Sequence, residues 1–485
     1  MSNDQQPANQ KNADTNGVSR HTPPKKPKSK IAVKQVDGGK KRVHPRFVTG
    51  KYQNIRLVMM YSILLIFLVM PWLKWDGRQA ILFDVIEPKF YIFGATFMPQ
   101  DFYFFAFIFM IAAILLFMVT VYAGRVWCGY ACPQTIYVHL YQYTEKLIIG
   151  ERNKRIKFDA EPMSSKKFMK LALLHSLWFI YSVITAFTFV ALVAGVSDLL
   201  HTGQTLFFMG WSKLTWFFMG LITFVTYINA AYMREHMCVH ICPYGRFQSV
   251  MFDKDTLIVS YDYERGEPRG ASKKNREING LGDCVDCTMC VQVCPTGIDI
   301  RDGLQVDCIQ CAACVDACND VMDKIGKPRG LIRYTTERQL VDKQPTKIIS
   351  PRIFAYIFVL GALIVAAAVV FLGRNPLEMD IRHDRKQLSV AGRDGRIENS
   401  YVLKIVNKTN ERHVYHVRLD EPKSGITLRS RFKELPLQGG EAYDLPISLF
   451  ANAKDMEKGR TPVTITVYSA DGRYSMSRSD VFIVD

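Results

Sequence analysis

Cysteine is withheld from most of this sequence. There are 12 in 485 residues, at 128/132, 238/242, 284/287/290/294 and 308/311/314/318, and residues 374–485 have none. That distribution excludes a disulfide framework, which would be spread through the loops of a small secreted chain. A Gly-x-Gly-x-x-Gly fingerprint after a strand is also missing, so no bound flavin or NAD is expected. The first 30 residues lack an apolar core, which argues against a signal peptide. Residues 1–50 are polar and poor in aromatics, and are expected to form a disordered basic tail. Acidic residues are the scarcer charge, 45 against 62 Lys and Arg, for a net charge of +17. In a soluble chain that excess would suggest nucleic acid. Here the basic residues flank apolar runs, where they orient a chain in a bilayer. The expected partner is lipid, with no nucleic acid.

Five apolar stretches are long enough to cross a hydrocarbon core, which takes about 20 residues. They run approximately over Ile55–Leu73, Phe102–Ala123, Phe168–Ala194, Leu214–Met233 and Ile353–Leu372. A sixth, Ala80–Met98, is interrupted by Asp84, Glu87, Pro88 and Lys89 and reads as a loop or short hairpin at the membrane surface. Lys and Arg number 13 up to Arg56, three in 74–100, eight in 124–167, one in 195–213 and 17 in 234–352. Basic residues collect on the cytoplasmic side. The N-terminus, 124–167 and 234–352 are therefore expected there, with 374–485 on the opposite, periplasmic face of an inner membrane.

The last segment has another texture. β-branched, partly alternating runs at Tyr401–Val406, His413–Leu419, Tyr443–Leu449, Val463–Tyr468 and Val481–Val484 are separated by turn residues such as Gln438-Gly439-Gly440 and Asp471-Gly472. Short strands so spaced predict an immunoglobulin-like sandwich, held by its core alone. The fold class is then a polytopic α-helical membrane protein of five spans. To it are added a cytoplasmic bacterial-ferredoxin-like module and a C-terminal all-β sandwich. The expected divisions are a tail (1–50), a four-span domain (51–250), a two-cluster domain (251–345), a fifth membrane helix (350–373) and the sandwich (374–485).

The run Cys284-x2-Cys287-x2-Cys290-x3-Cys294-Pro295 has the spacing of bacterial ferredoxins. Cys308, Cys311, Cys314 and Cys318 repeat it, with Asn319 in place of the proline. Zinc knuckles also use Cys-x2-Cys, but two successive four-cysteine runs of this spacing favour two 4Fe–4S clusters. In two-cluster ferredoxins the fourth cysteine serves the other cluster. The expected ligand sets are Cys284, Cys287, Cys290 and Cys318 for one, and Cys308, Cys311, Cys314 and Cys294 for the other.

The remaining cysteines form two related motifs, Cys128-x3-Cys132-Pro133 and Cys238-x3-Cys242-Pro243, after the second and fourth spans. This looks like a duplicated two-span unit. On a helix, i and i+4 share a face, and the proline ends or kinks the helix beyond the second thiol. Three readings stay open: small buried residues packing a helix end, a redox dithiol, or a soft-metal site for Cu(I). His236, Met237 and His240 flank the second pair as candidate additional copper ligands.

Taken together, the spans, Trp127-Cys-Gly-Tyr-Ala-Cys-Pro-Gln134, Cys238-Val-His-Ile-Cys-Pro-Tyr-Gly-Arg-Phe-Gln248, the doubled ferredoxin run and the β-rich end resemble the CcoG family, also called FixG or RdxA. The resemblance implies an accessory factor for assembly of cbb-type cytochrome c oxidase that reduces Cu(II) to Cu(I). Its implied partners are oxidase subunits or copper chaperones and transporters, with a cytoplasmic or quinol electron donor. It makes Cys128, Cys132, Cys238 and Cys242 the candidate redox or copper thiols. The alternative is an electron relay of the NapH or NosR type, which shares Cys-x3-Cys-Pro pairs and does not handle copper.

Overall fold

The computed structural model describes residues 43–84, 89–98, 101–206, 212–270, 280–347, 350–383, 390–391, 396–409, 411–420, 425–452, 456 and 459–484. Of the expected tail, 1–50, residues 1–42 lie outside them, while 43–50 lie against the rest of the protein, with Arg46 N–H donating to Gln292 O (2.7 Å) and Arg152 to His44 O (3.0 Å). Among the described residues five helices are long and apolar enough to cross a membrane: Lys51–Trp72, Tyr103–Ala123, Ser165–Ala194, Lys213–Ile241 and Pro351–Leu372. The third packs against the fourth and the fifth against the second. Large apolar side chains such as Phe358 and Leu372 face outward along the spans. In a polypeptide surrounded by lipid this is the favoured side for them.

The fourth span reaches eight residues past the expected Met233, through π-helical turns at Asn229–Met233 and Met237–Ile241. Such turns insert a residue into the helix and are frequent at functional sites. The interrupted Ala80–Met98 stretch does not span. Among the described residues it is a three-stranded meander, Ile81–Asp84, Lys89–Ile92 and Ala95–Phe97.

After the fourth span the chain enters the cysteine-rich module. Its backbone is a short antiparallel pair, Ile258–Tyr261 with Ile332–Thr335, and a helix, Ala313–Lys324. Val259, Tyr261, Ile298, Ile300, Met322 and Leu331 form its core with several of the cysteines. The module is bolted to the first span. Asp316 accepts hydrogen bonds from the backbone N–H groups of Gln53 (2.7 Å) and Tyr52 (3.3 Å). It therefore caps from outside the N-terminus of a helix whose own N-cap, Gly50, offers no side chain. A carboxylate there satisfies orphan donors and matches the helix dipole.

The C-terminal segment is a two-sheet sandwich. In one sheet Thr427–Ser430, Ala442–Asn452, Arg396–Asn407 and Leu377–His383 lie side by side. The other has the order Leu435–Leu437, His413–Asp420, Gly459–Ser469 and Ser475–Val484. Alternate residues point inward, so that Leu403, Ile405, Leu445, Leu449, Ile465, Val467 and Phe482 are fully buried between the sheets. Each expected strand is present and longer than its apolar run, because sheet pairing extends over the polar positions too. Four further segments, Leu377–His383, Val390–Ala391, Thr427–Ser430 and Leu435–Leu437, complete the sheets. A buried ion cluster ties the sandwich to the membrane helices. Asp101, just before the second span, pairs with Arg374, just after the fifth (3.1 Å), and with Lys408 (2.9 Å), which also meets Glu378.

Candidate functional site

The two ferredoxin runs fold alike. In each, the residues either side of the second cysteine adopt left-handed backbone: Asp286 and Thr288 around Cys287, Gln310 and Ala312 around Cys311. Non-glycine residues in that region cost about 1–2 kcal/mol each and cluster where a structure needs a tight wrap. The loops curl around two cavities of about 350 Å³ each. Cys284, Cys287, Cys290 and Cys318 line one. Cys290, Cys294, Cys308, Cys311 and Cys314 line the other. The first cavity thus draws three thiols from one run and one from the other; the second draws three from the second run and two, Cys290 and Cys294, from the first.

Among the described residues no three His, Cys, Asp or Glu side chains gather about a single-ion point. The sulfurs surround a space instead, which suits a cubane held at its corners better than a zinc ion. Burial pushes the thiols of Cys290, Cys308 and Cys318 up to about 12, and those of Cys294 and Cys314 upward as well. Binding of metal to these five as thiolates would therefore release protons.

The two Cys-x3-Cys-Pro turns are near-copies. Cys132 N–H bonds back to Trp127 O (2.9 Å), and Cys242 N–H to Met237 O (2.8 Å), each a five-residue closure. Cys132 and Cys242 are extended, and Pro133 and Pro243 each open a new helix, Pro133–Ile148 and Pro243–Met251. The thiol pairs therefore do not sit on one straight α-helix as the i, i+4 spacing suggested. The proline has no N–H to continue the ladder, so the turn widens ahead of it and the chain restarts. The four thiols lie close enough that Cys128, Cys132, Cys238 and Cys242 interact electrostatically across the two turns. Burial pushes Cys128 up to about 11, against a hydrogen bond from Gln248, whose side chain is fully buried beside it. His236 and His240 stack at 5.7 Å on exposed positions.

Arg125 joins the turns to the module. Its guanidinium donates to the carbonyls of Val306 and Gly245, and its backbone N–H to Gln310 Oε1 (2.9 Å). Arg56 donates to Gly129 O (3.0 Å), and Tyr130 and Tyr334 share a hydroxyl contact (3.2 Å) while Tyr334 donates to Gln310 O (2.6 Å). The first turn is packed against the loop that carries Cys308 and Cys311. Motif reading missed Arg125, Gln248, Gln310 and Asp316. Arg125 carries the one visible signal, a lone cation at the end of an apolar span three residues before Cys128.

Three family models match the chain. One described as a 4Fe–4S dicluster domain matches residues 233–337, and one described as a 4Fe–4S binding domain matches 104–157. A third, described as an IG-like fold at the C-terminal of FixG, putative oxidoreductase, matches 367–485. The chain is 32% identical to nitrogen fixation protein FixG of Rhizobium meliloti, over 79% of each chain. It is 35% identical to protein RdxA of Cereibacter sphaeroides, over 85% of this chain and 87% of that one. Protein RdxB of the same organism is 37% identical over 77% and 81%. A solved FixG-related protein from Vibrio parahaemolyticus aligns with 23% of this chain at 24% identity and a TM-score of 0.21.

Proposed function

The chain belongs to the FixG/RdxA family, and from that premise we propose that it is a membrane electron-transfer protein that reduces Cu(II) to Cu(I) for assembly of cbb-type cytochrome c oxidase. It is a multi-pass membrane protein with 4Fe–4S domains. The finer claims are the cluster ligands, the copper chemistry and the sidedness. Cys284, Cys287, Cys290 and Cys318 would hold one cluster and Cys308, Cys311, Cys314 and Cys294 the other. Such clusters, when bound, supply electrons singly, which is the stoichiometry of cupric reduction.

The observation that carries the reading is the docking of both Cys-x3-Cys-Pro turns on the second ferredoxin loop through Arg125. Paired soft thiols suit Cu(I) better than Cu(II), so they hold the product ion rather than the substrate. Arg125 lowers the charge cost of thiolates there, and Gln248 fixes Cys128. The arrangement of ends supports a cytoplasmic module and a periplasmic sandwich. The second span meets the module at Arg125 and the sandwich's ion cluster at Asp101, its two opposite ends.

The test is a quadruple alanine variant at Cys128, Cys132, Cys238 and Cys242, purified anaerobically and reduced chemically. Loss of Cu(I) formation with unchanged iron–sulfur absorption is expected. Undiminished Cu(I) formation would favour the second reading, a relay of the NapH or NosR type that does not handle copper. One observation favours that relay: the 4Fe–4S binding model over 104–157 covers Cys128 and Cys132 as its only cysteines.

A further inference from the structure

One cavity among the described residues belongs to neither cysteine cage. It lies, partly open to solvent, between the helix Pro133–Ile148, the ends of the first and fourth spans, and the cysteine module. Its walls are mainly apolar, from Phe47, Val138, Val293 and Ile309. Val293 adjoins Cys294 and Ile309 adjoins Cys308, and Cys238 lies on the cavity's border. The space therefore separates one cysteine cage from one thiol of the membrane turns.

Among the described residues, three polar side chains at this cavity are more than nine-tenths buried and carry atoms without a partner: His139 Nε2, Gln142 Nε2 and Arg234 NH1. A buried polar atom left unsatisfied costs about 1–3 kcal/mol, so three around one cavity mark a place for a ligand with acceptor atoms. Glu145 pairs with both Arg234 and Arg155 (3.4 Å), one carboxylate between two guanidiniums. Glu235 lies in the same wall, and Arg46 and Arg56 line it as well. Burial, then the charge of Arg56, holds His139 down to about 3, so its ring is neutral at pH 7. The occupant that fits is apolar in its body and equipped with acceptor oxygens at separate points. It also meets the protein where two spans end.

We propose that this cavity binds the head group of a membrane quinone, with Gln142 and His139 of one helix hydrogen-bonding one carbonyl oxygen and Arg234 of the fourth span the other. The proposal deepens the electron-transfer reading by naming the class of carrier the protein meets, and its test needs no turnover.

Full-length protein, anaerobically purified with its metal, is titrated calorimetrically with 2-heptyl-4-hydroxyquinoline N-oxide, a quinone analogue. Saturable binding that decylubiquinone displaces is expected. His139→Ala and Gln142→Ala should each weaken it about tenfold, the worth of one hydrogen bond, without loss of iron or cluster absorption. Absence of saturable binding by the wild type, or wild-type affinity in both variants, overturns the site. Should the variants fail to fold, photolabelling of the wild type with an azidoquinone decides. Labels within 134–142 or 234–238 uphold the site, and labels only elsewhere overturn it. Failed binding with Cu(I) formation intact would remove the quinone site and leave the electron-transfer reading standing.

Discussion

Gly129 lies directly against Cys311. A Cβ added at Gly129 would stand 2.8 Å from Ile309 O and 3.1 Å from Cys311 Cα, both backbone atoms that cannot swing aside. The glycine between the first pair of membrane-surface thiols is thus the contact point with the second ferredoxin loop. Gly129→Ala should force the turn and the loop apart, at about 1–3 kcal/mol as for other overpacked sites. The expected result is lower thermal stability and faster loss of iron–sulfur absorption in air, with the C-terminal sandwich unaffected. Unchanged cluster lifetime would mean that the loop moves freely.

The crossing of the two ferredoxin runs makes a second expectation. Cys318 lines the cavity of Cys284, Cys287 and Cys290, and Cys294 lines that of Cys308, Cys311 and Cys314. Cys294→Ala and Cys318→Ala should each lower bound iron and sulfide by about half, since each removes one corner of a different cage. The two variants should leave different clusters behind, with distinct EPR spectra after reduction. Identical residual spectra would contradict the crossed assignment.

How much of this was legible follows from what kind of signal each feature leaves. The spans and the cysteine runs are local: twenty apolar residues, or four cysteines at fixed intervals, say the same thing in any context. The sandwich strands were visible as apolar alternation, but Thr427–Ser430 and Leu435–Leu437 were not, because short edge strands bury few side chains. The fourth span's extension past Met233 runs through polar residues such as Arg234 and Glu235, whose charge argues against a span. Arg234 is tolerated there because Glu145, far off in sequence, pairs with it. The same holds for Asp316, an unremarkable acid among the cysteines that becomes the cap of a helix more than 260 residues earlier. Pairings of this reach leave no periodicity to read.

Asp101 makes the junction between membrane and sandwich testable. It is almost wholly buried and holds both Arg374 and Lys408, of which Lys408 has Glu378 as a second partner. Removing one member of a buried ion group costs about 3–5 kcal/mol, because the others keep their charge without compensation. Asp101→Ala should therefore loosen the sandwich from the helices. Limited proteolysis should release a fragment beginning near Arg374 that the wild type protects. Cluster content should not change, since the cysteine cages lie at the other end of the second span.

Asp255 provides the pH-dependent case. Arg338 donates to both its oxygens (2.6 and 2.8 Å) and the backbone N–H of Lys347 to one (3.1 Å). These bonds clamp the chain that leaves the cysteine module for the fifth span. The hydrogen bond from Arg338 holds the Asp255 carboxyl below its ordinary value, outweighing the opposing effect of burial. Its folded pKa is thus lower than its unfolded pKa of about 4. The clamp is fully present above about pH 5, and its stabilisation is lost as pH falls through the folded value. Asp255→Asn keeps the shape but neither charge nor titration. The variant should melt below the wild type at pH 7, and the gap should close as pH falls from about 5 to about 3. A gap that stays constant over that range would show that packing at this position, rather than the Arg338 pair, sets its contribution.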